Sequence, residues 1–300
     1  MHMLKTESLT HVYSSGTPFE HVAIYDIDFE VEKGEYLGII GATGSGKSTF
    51  ISHLNGLIKP TSGRVLYEGK DIHESKSFTR DTRFKVGLVF QYPEYQLFES
   101  TVFEDIAFGP KNMGLSASDV EERVLEAAGF AGLGDQLLKK SPFELSGGEK
   151  RRAAIAGVIA MRPEVLILDE PTAGLDPRGR EEILRNVMNY KNAHGATVIM
   201  VTHDMEQLAR AVDRIVILAH GKLEMQGTPA QIFSQDEALS ALGLSAPKVT
   251  LVAARLRALG LKLPEDIYTT NMLCNALKEL KQSKGKGESV RSNPGGDDHA

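Results

Sequence analysis

The fold of this chain is decided by one stretch, Gly41-Ala42-Thr43-Gly44-Ser45-Gly46-Lys47-Ser48-Thr49. The stretch follows the apolar run Tyr36–Ile40 and precedes Phe50–Leu54, which contains neither Gly nor Pro. A strand, a glycine-rich loop and a helix in this order are the context that a phosphate-binding loop requires. Glycines let successive backbone N–H groups converge on phosphate oxygens, and the helix adds unpaired N–H groups and the positive end of its dipole. We therefore predict that this phosphate loop, Gly41–Thr49, binds a nucleotide.

Two side chains of the phosphate loop have predicted roles of their own. Lys47 can reach the β- and γ-phosphates, and Ser48 can place its hydroxyl on Mg²⁺. The alternative is a glycine-rich turn that happens to be followed by Lys-Ser. The complete spacing and both flanks favour the phosphate loop.

Composition limits the class of protein. The chain has 300 residues, of which 41% are hydrophobic and 25% are charged, as expected for one large globular domain with or without a small one. The net charge is −6 and the pI is about 5.9, so nucleic acid is not an expected partner. The single cysteine, Cys274, excludes an internal disulfide and fits a reducing compartment. Met1–Lys5 shows no secretory signal, and no apolar run approaches the ~20 residues of a membrane-spanning helix.

Short aliphatic segments alternate with helical ones, which predicts a parallel sheet covered by helices on both faces. Near the N-terminus, Leu4–Tyr13 has β-type character and Ala23–Glu32 shows the apolar/polar alternation of a half-buried strand. Further strands are predicted at Tyr36–Ile40, Arg64–Lys70, Val86–Phe90, Val165–Leu168 and Ala196–Val201, and a closing hairpin at Arg214–Leu218 and Lys222–Gln226.

Helical patterns dominate two regions. From about Thr101 to Met161 they predict a helical insert, with Ala117–Gly129 as one helix. Beyond Gly227, two amphipathic helices are predicted at Lys248–Leu259 and Pro264–Gln282, and the polar tail 283–300 is predicted to be disordered. The apolar face of the first C-terminal helix carries Val249, Val252 and Leu256.

Two carboxylates end an apolar strand. Val165–Leu168 is followed by Asp169, which is placed to hold Mg²⁺, and by Glu170. Because Glu170 points elsewhere, it can polarise a water for attack on the γ-phosphate. A strand that merely ends in acidic residues is the alternative, and the phosphate loop upstream favours the functional roles.

A second anion site is predicted where Leu145–Glu149 leads into a helix at Glu149–Met161. Ser146 and the two glycines after it lie at the helix N-terminus, where backbone N–H groups attract anions. Two phosphate-binding devices so far apart in sequence suggest that two chains share each nucleotide.

These motifs together resemble the nucleotide-binding subunit of ATP-binding cassette (ABC) transporters. The resemblance covers residues 3–230 and rests on motifs that stand in the family's order: Gly41–Thr49, Gln91, Leu145–Glu149, Leu168–Pro171, Ala173–Asp176 and His203. It implies an α/β fold: a P-loop ABC ATPase with a parallel core sheet, an N-terminal antiparallel β subdomain, and a helical subdomain at about 101–161. It also implies head-to-tail dimers that bind two molecules of ATP, with Mg²⁺, at the interface.

The same resemblance implies roles for single residues. Ser146, Gly147 and Gly148 bind the γ-phosphate of the ATP that the partner holds. Gln91 senses Mg²⁺ and the attacking water, and Asp176 lies in the loop that links the two sites. His203, which follows a strand, contacts the γ-phosphate beside Glu170, the general base.

The adenine base needs an aromatic stacking face, which an N-terminal aromatic supplies in this family. Tyr13 is the candidate and Phe19 the alternative, while a strand aromatic that packs within the β subdomain remains a third possibility. One departure from the family pattern is Glu149. It ends the motif Leu145–Glu149, the family's signature, which usually ends in Gln. An anion close to a triphosphate is unfavourable, but the effect is small if Glu149 faces solvent or pairs with Arg152.

A closer match joins Phe90–Glu99, Asp105–Pro110 and Phe143–Gly157, which look like the ATPase subunits of energy-coupling factor (ECF) transporters. Gly16–Glu20 and Leu54–Leu57 resemble the second of the two paralogous ATPases in such complexes. This resemblance implies ATP-driven import of a vitamin or a transition-metal ion, at the cytoplasmic face of a bacterial membrane. The implied partners are a second ABC ATPase subunit (a paralogue or a second copy), an integral membrane coupling subunit and a substrate-binding membrane subunit. The small helical C-terminal domain, 231–282, would contribute to dimerisation.

The segment Tyr92–Phe98, named here the docking segment, contains two Tyr, a Phe and a Pro directly after Gln91. Three aromatics in a loop indicate either a local core or a partner surface. The link to Gln91 favours a partner surface, since movement at the γ-phosphate would then reach whatever docks there.

Other classes of protein fit the sequence less well. Another ABC importer or exporter ATPase is the nearest alternative, followed by a soluble ABC ATPase acting on nucleic acid or the ribosome. Soluble members carry a long coiled-coil insert or two cassettes in one chain, and this sequence has neither. A GTPase would need a guanine-reading Asn-Lys-x-Asp, which is missing, and a P-loop kinase would not explain Leu145–Glu149.

Overall fold

The structure is a computed structural model that describes residues 2–288, with side chains to residue 282. The chain forms two compact units. Of the described residues, the first unit comprises 2–203 together with Val212–Gln226, and the second comprises Asp204–Ala211 and 227–288. The predicted domain boundary at residue 230 stays a prediction.

The N-terminal part of the first unit is an antiparallel sheet of four strands. They are β1 His2–Tyr13, β2 His21–Glu32, β4 Ser62–Tyr67 and β5 Lys70–Asp71, in the spatial order β2-β1-β4-β5. In β2 the buried Ile27, Phe29 and Val31 alternate with exposed acidic residues, as the sequence pattern predicts. The predicted antiparallel β subdomain is therefore confirmed.

The second sheet of this unit has six strands in the order β10-β9-β3-β8-β7-β6. Their bounds are β3 Tyr36–Ile40, β6 Val86–Val89, β7 Val165–Asp169, β8 Thr197–Val201, β9 Arg214–Ala219 and β10 Lys222–Gly227. The pairs β3–β8, β3–β9, β7–β8 and β6–β7 are parallel. Strands β3 and β6–β8 are buried along their whole length, which explains why they are continuous aliphatic runs. The parallel core and the closing hairpin are confirmed.

The helices of the first unit are α1 Lys47–Leu54, α2 Lys76–Lys85, α3 Val102–Asn112, α4 Ala117–Ala131, α5 Asp135–Leu138, α6 Gly147–Ile159 and α7 Pro177–His194. Helices α3, α4 and α6 pack on one another in the predicted insert. Five of the helices begin after a side chain that accepts a hydrogen bond from a first-turn N–H; these caps are Ser75, Thr101, Ser116, Ser146 and Asp176.

The main core holds the phosphate-loop helix between the two sheets. Its side chains come from both sheets and from α1, and Phe29 of β2 meets Phe50 of α1 edge to face at 5.1 Å. The loop that precedes α1 is thereby anchored at the carboxyl end of β3.

The second unit contains helices α8 Met205–Ala211, α9 Pro229–Phe233, α10 Asp236–Ala241, α11 Lys248–Ala258 and α12 Thr270–Glu288. Helix α8 was not predicted. The predicted start of α12 at Pro264 is wrong, because Thr269 accepts a hydrogen bond from the Met272 N–H and caps the helix there. Helix α12 continues past the predicted limit at Gln282, and the rest of the predicted disordered tail, 289–300, lies outside the described residues.

The core of the second unit corrects one predicted face. Val249 and Leu256 pack against a small cluster that includes Ala253 and Ile267, but Val252 is 49% exposed. The buried face of α11 therefore contains Ala253 in place of Val252, together with Val249 and Leu256. Within the part of the chain that is described, no helix has the length and apolar character needed to span a bilayer.

Candidate active site

The phosphate loop joins β3, which ends at Ile40, to α1, which begins at Lys47. Its backbone depends on glycine at two positions. A Cβ atom on Gly41 would lie 2.1 Å from the Leu218 carbonyl oxygen, and one on Gly46 would lie 2.6 Å from that of Ala23. Gly46 also has a φ of +97°, which L side chains disfavour. The loop can therefore approach its neighbours closely and turn its N–H groups towards an anion.

The Lys47 side chain folds back over the phosphate loop. Its ammonium group donates hydrogen bonds to the carbonyls of Gly41 at 2.7 Å and Ala42 at 2.9 Å. Burial lowers the pKa of Lys47, and the negative charges of Glu170 and Asp169 oppose that shift. The charge of Lys47 is thus held over the loop, where a phosphate group would bind.

Ser48 and Asp169 form the oxygen pair that fits Mg²⁺. The Ser48 hydroxyl donates to Asp169 Oδ2 at 3.0 Å, and Asp169 is buried at the end of β7. Burial raises the pKa of Asp169, while the Ser48 hydrogen bond opposes the shift. No cluster of three or more His, Cys, Asp or Glu suited to a metal occurs within residues 2–288. A pair of oxygen ligands completed by phosphates and water is the arrangement that Mg²⁺ prefers.

Glu170 diverges from Asp169 because its backbone is left-handed, with a φ of +50°. Its N–H donates to the Val201 carbonyl at 2.9 Å, which ties it to the end of β8. The Nδ1–H of His203 donates to the Glu170 carboxylate at 2.7–2.8 Å. His203 is thereby placed to orient that carboxylate, and its own side chain is 76% exposed.

Gln91 lies at the same edge of the sheet. Strands β6 and β7 are parallel, and Val89 lies opposite Leu168. Gln91 and Glu170 each follow this pair by two residues, so they leave the same edge of the sheet on neighbouring strands. Gln91 is exposed and leads directly into the docking segment, whose residues Pro93–Gln96 form one turn of 3-10 helix.

Tyr13 ends β1 beside the phosphate loop. Its hydroxyl lies 3.3 Å from Thr49 Oγ1, and its ring meets His11 edge to face at 4.5 Å. The ring is 41% exposed, whereas the alternative, Phe19, is 83% exposed in the connection between β1 and β2. The contact with Thr49 supports Tyr13, whose role in stacking on adenine stays a prediction.

The signature turn, Ser146–Glu149, is a complete capping box at the start of α6. Glu149 accepts the Ser146 N–H at 2.8 Å and the Ser146 hydroxyl at 2.7 Å, and these hydrogen bonds lower the pKa of Glu149. Ser146, rather than Arg152, is therefore the principal hydrogen-bond partner of Glu149. The cap also explains why α6 begins at Gly147, two residues before the predicted start.

Asp176 caps α7 by accepting the Gly179 N–H at 2.7 Å. It thereby fixes the end of the loop that leaves Glu170. Arg151 and Glu94, which were not among the predicted site residues, form a salt bridge between α6 and the docking segment. A signal was present, since Arg151 stands at helical spacing with Ile155 and Ile159, and all three are buried.

The arrangement of the site is that of a P-loop ATPase of the ABC class. A hydroxyl and a carboxylate meet beside a phosphate loop, a histidine orients a strand-end glutamate, and a separate glycine turn is capped. The ABC transporter family model matches residues 24–173. The energy-coupling factor transporter ATP-binding protein EcfA2 of Caldanaerobacter subterraneus subsp. tengcongensis is 52% identical over 89% of this chain and 93% of its own. The protein of the same name from Clostridium perfringens is 49% identical over 92% and 98%.

Solved structures agree with this class. CbiO1 of Clostridium perfringens, part of the ABC transporter complex CbiONQ, has a TM-score of 0.72 and 38% identity, and the match covers 86% of this chain and 98% of that one. An ATP-binding cassette dimer in a post-hydrolysis state with ADP and Pi has a TM-score of 0.68 and 30% identity over 75% and 98%. The chain belongs to the ATP-binding proteins of energy-coupling factor transporters, within the ABC transporter family. It is an ATP-binding ATPase, which excludes the P-loop kinase and GTPase alternatives.

Proposed function

We propose that this chain is the Mg²⁺-dependent ATPase subunit of an ECF-type importer for a vitamin or a transition-metal ion. It works as a peripheral protein at the cytoplasmic face of the membrane, with a second ATPase, an integral membrane coupling subunit and a substrate-binding membrane subunit. The observation that carries the proposal is the strand-end site, in which Ser48 meets Asp169 and Glu170 meets His203. The names of the similar proteins support the transporter context.

Hydrolysis follows from the placement of these groups. The phosphate loop and Lys47 hold the phosphates of ATP through backbone N–H groups and one positive charge. Mg²⁺, held by Ser48 and Asp169, would supply neutralisation of the phosphate charge. Glu170 accepts a proton from the attacking water as general base, and His203 keeps its carboxylate in place.

The signature turn serves the ATP of the partner ATPase. The N–H groups of Gly147 and Gly148 are in the first turn of α6 and have no acceptor within the helix. They therefore suit an anion that arrives from outside the chain. A related cassette forms a dimer with ADP and Pi, which supports this arrangement.

The docking segment supplies the contact to the membrane subunits. Tyr95 is 85% exposed and Phe98 is 60% exposed, so these rings are not a local core. Phe98 borders an apolar cavity of about 420 Å³ that also meets Phe90, Phe108 and Met161. An apolar cavity rimmed by exposed aromatics suits an anchoring segment of the coupling subunit.

The experiment is co-expression of the chain with a second ATPase and the membrane subunits, followed by purification and uptake assays. We expect the double variant Tyr95→Ser/Phe98→Ser to lose binding to the membrane subunits and to lose uptake. Its melting temperature, and its ATPase activity without membrane subunits, should stay close to those of the wild type. Leu125→Ser, at an exposed apolar residue of α4, is the control. If the wild type hydrolyses ATP but never co-purifies with membrane subunits, the transporter proposal fails and a soluble ABC ATPase is favoured.

A further inference from the structure

Arg151 is a buried arginine whose side chain joins three segments of the first unit. It lies on α6 and is 3% exposed. Its Nε and Nη2 donate to the two carboxylate oxygens of Glu94 at 2.9 and 2.5 Å. Its Nη1 donates to the carbonyls of Pro171, at 3.4 Å, and Ala173. The guanidinium also lies 5.7 Å from the centroid of the Tyr92 ring.

Each of these segments belongs to a different part of the proposed hydrolysis site. Glu94 and Tyr92 follow Gln91 in the docking segment. Pro171 and Ala173 follow the general base, Glu170. Helix α6, which carries Arg151, begins with the signature turn. One side chain therefore connects the partner-facing segment, the loop behind the general base and the helix that would face the partner's ATP.

The chemistry of the contact makes it selective for arginine. A planar guanidinium can bind a carboxylate through two parallel hydrogen bonds and still donate to carbonyls from its remaining nitrogen. A lysine ammonium keeps the charge but cannot reproduce that fork. Burial has the largest single influence on the pKa of Glu94 and raises it, but the Arg151 hydrogen bonds, the Glu94 backbone N–H and the Arg151 charge together outweigh burial and lower that pKa. The Glu94 carboxylate is therefore ionised at neutral pH and held in one geometry.

We propose that Arg151 is a positioning residue that couples the docking segment to hydrolysis, an inference that rests on the proposed function. Displacement of Glu94 by a docked membrane subunit moves Arg151. Arg151 in turn moves the start of α6 and the loop that follows Glu170. Arg151 acts on the reacting groups through these segments and is not a catalytic residue.

The first test compares Arg151→Lys with the matched control Arg152→Lys in the assembled complex. Arg152 is the next residue of α6, but it pairs with Glu182 of α7, at 3.3 Å. For Arg151→Lys we expect ATP affinity within about twofold of the wild type, and a kcat lower by about tenfold to a hundredfold because the hydrolysis geometry is displaced. We also expect the ratio of ATPase activity with and without membrane subunits to fall towards one. Arg152→Lys should keep that ratio.

The second test uses Glu94→Gln, which preserves shape and removes the charge. Because both substitutions break one contact, Arg151→Lys/Glu94→Gln should be no slower than the slower single variant. Thermal melting of every variant shows how much folded enzyme is present, and Glu94→Gln serves if Arg151→Lys does not fold. A merely structural salt bridge would lower the melting temperature and the yield, but would leave the stimulation ratio unchanged.

The inference is overturned if Arg151→Lys keeps the wild-type stimulation ratio, if Arg152→Lys loses it equally, or if the two single effects multiply in the double variant. These outcomes differ from failure of the proposed function. In that case the wild-type chain itself would form no complex with membrane subunits, and no stimulation ratio would exist for any variant.

Discussion

The phosphate loop and the signature turn both place glycines at the N-terminus of a helix, yet the chain requires the two sets for different reasons. In the phosphate loop, Gly41, Gly44 and Gly46 all have positive φ angles. At Gly41 and Gly46 a side chain would also collide with the backbone of neighbouring strands. These glycines are demanded by the fold of the chain itself.

The glycines of the signature turn are under no such constraint. Gly147 and Gly148 have ordinary helical backbone, and a Cβ atom on Gly147 would meet no atom of the described residues within 4 Å. Within residues 2–288, the space beside Gly147 is therefore open. The comparison indicates that the phosphate-loop glycines are required by the backbone of the chain itself. The glycines of the signature turn instead leave room for a group from outside the chain, in agreement with the proposed binding of the partner's ATP.

The largest expected effect comes from a change that leaves both turns intact. Glu170→Gln should bind ATP but hydrolyse it about 10²–10⁴ times more slowly, because an amide cannot accept a proton from water. Steady-state ATPase assays measure the rate, and size-exclusion chromatography should show accumulation of ATP-bound dimers. The exposed Glu181→Gln is the control. Near-normal turnover of Glu170→Gln in a purified complex would contradict the role of Glu170.

Lys47→Ala and Ser146→Arg test directly whether the two turns serve different ATP molecules. Lys47→Ala removes a charge-assisted contact of about 1.5–3 kcal/mol, and should weaken ATP binding about tenfold to a hundredfold. Ser146→Arg should leave ATP binding by the isolated chain unchanged and abolish hydrolysis in the dimer. Fluorescent-nucleotide titration of the single chain separates the two. If Ser146→Arg lost ATP binding in the single chain, the signature turn would contact the chain's own ATP rather than the partner's.

Gly46→Ala and Gly147→Ala test the demands of folding. Gly46→Ala forces a left-handed backbone and a close contact with Ala23, and should destabilise the chain by about 1–3 kcal/mol. Gly147→Ala should change stability by less than about 0.5 kcal/mol, yet lower the ATPase activity of the dimer. Urea unfolding and ATPase assays measure the two effects. A Gly147→Ala chain as unstable as Gly46→Ala would erase the distinction between the two turns.

The smallest expected effect concerns how the free energy of unfolding depends on pH through α1, which follows the phosphate loop, and α6, which begins at the signature turn. Burial lowers the pKa of His53, on α1, from its ordinary value of 6.5 to about 4. As the pH falls, His53 is therefore protonated in the unfolded chain before it is protonated in the folded chain. The stability contributed by neutral His53 is complete above pH 6.5 and is lost as the pH falls from there through 4. From pH 7 to pH 5.5 we expect the wild type to lose about 1 kcal/mol more than His53→Gln.

The signature turn should respond only at lower pH, because hydrogen bonds from Ser146 hold the pKa of Glu149 below its usual range. Urea unfolding at several pH values checks both expectations, with the exposed His21→Gln as control. Parallel pH profiles for the wild type and His53→Gln would show that His53 is not the group responsible.

The strands and most helices could be predicted because their signals are local. Aliphatic runs placed β3 at its observed bounds and β7 to within one residue, since a strand buried on both faces needs continuous apolar sequence. Local rules also failed where two of them competed. Pro264 resembles a helix start, but the Thr269 cap decides where α12 begins.

The site divides in the same way. The motifs Gly41–Thr49 and Asp169-Glu170 predict a loop and a strand end that the structure brings together, because each motif lies within one segment. The roles of these residues stay predictions. The Ser146–Glu149 box was also readable, as Ser-x-x-Glu, and was overlooked. The helical spacing of Arg151 with Ile155 and Ile159 could indicate that Arg151 is buried, but its partner Glu94 lies 57 positions away, and no local pattern identifies that partner.

The left-handed backbone at Glu170 sets the stability of the chain against the proposed catalytic role of this residue. A side chain in this conformation costs about 1–2 kcal/mol, and Gly or Asn would relieve that cost without disturbing the end of β7. Mutational drift towards a more stable chain therefore runs against the carboxylate. A duplicated copy released from selection for ATP hydrolysis should replace this glutamate early and keep its fold, so a lineage that retains Glu170 is one in which hydrolysis is still under selection.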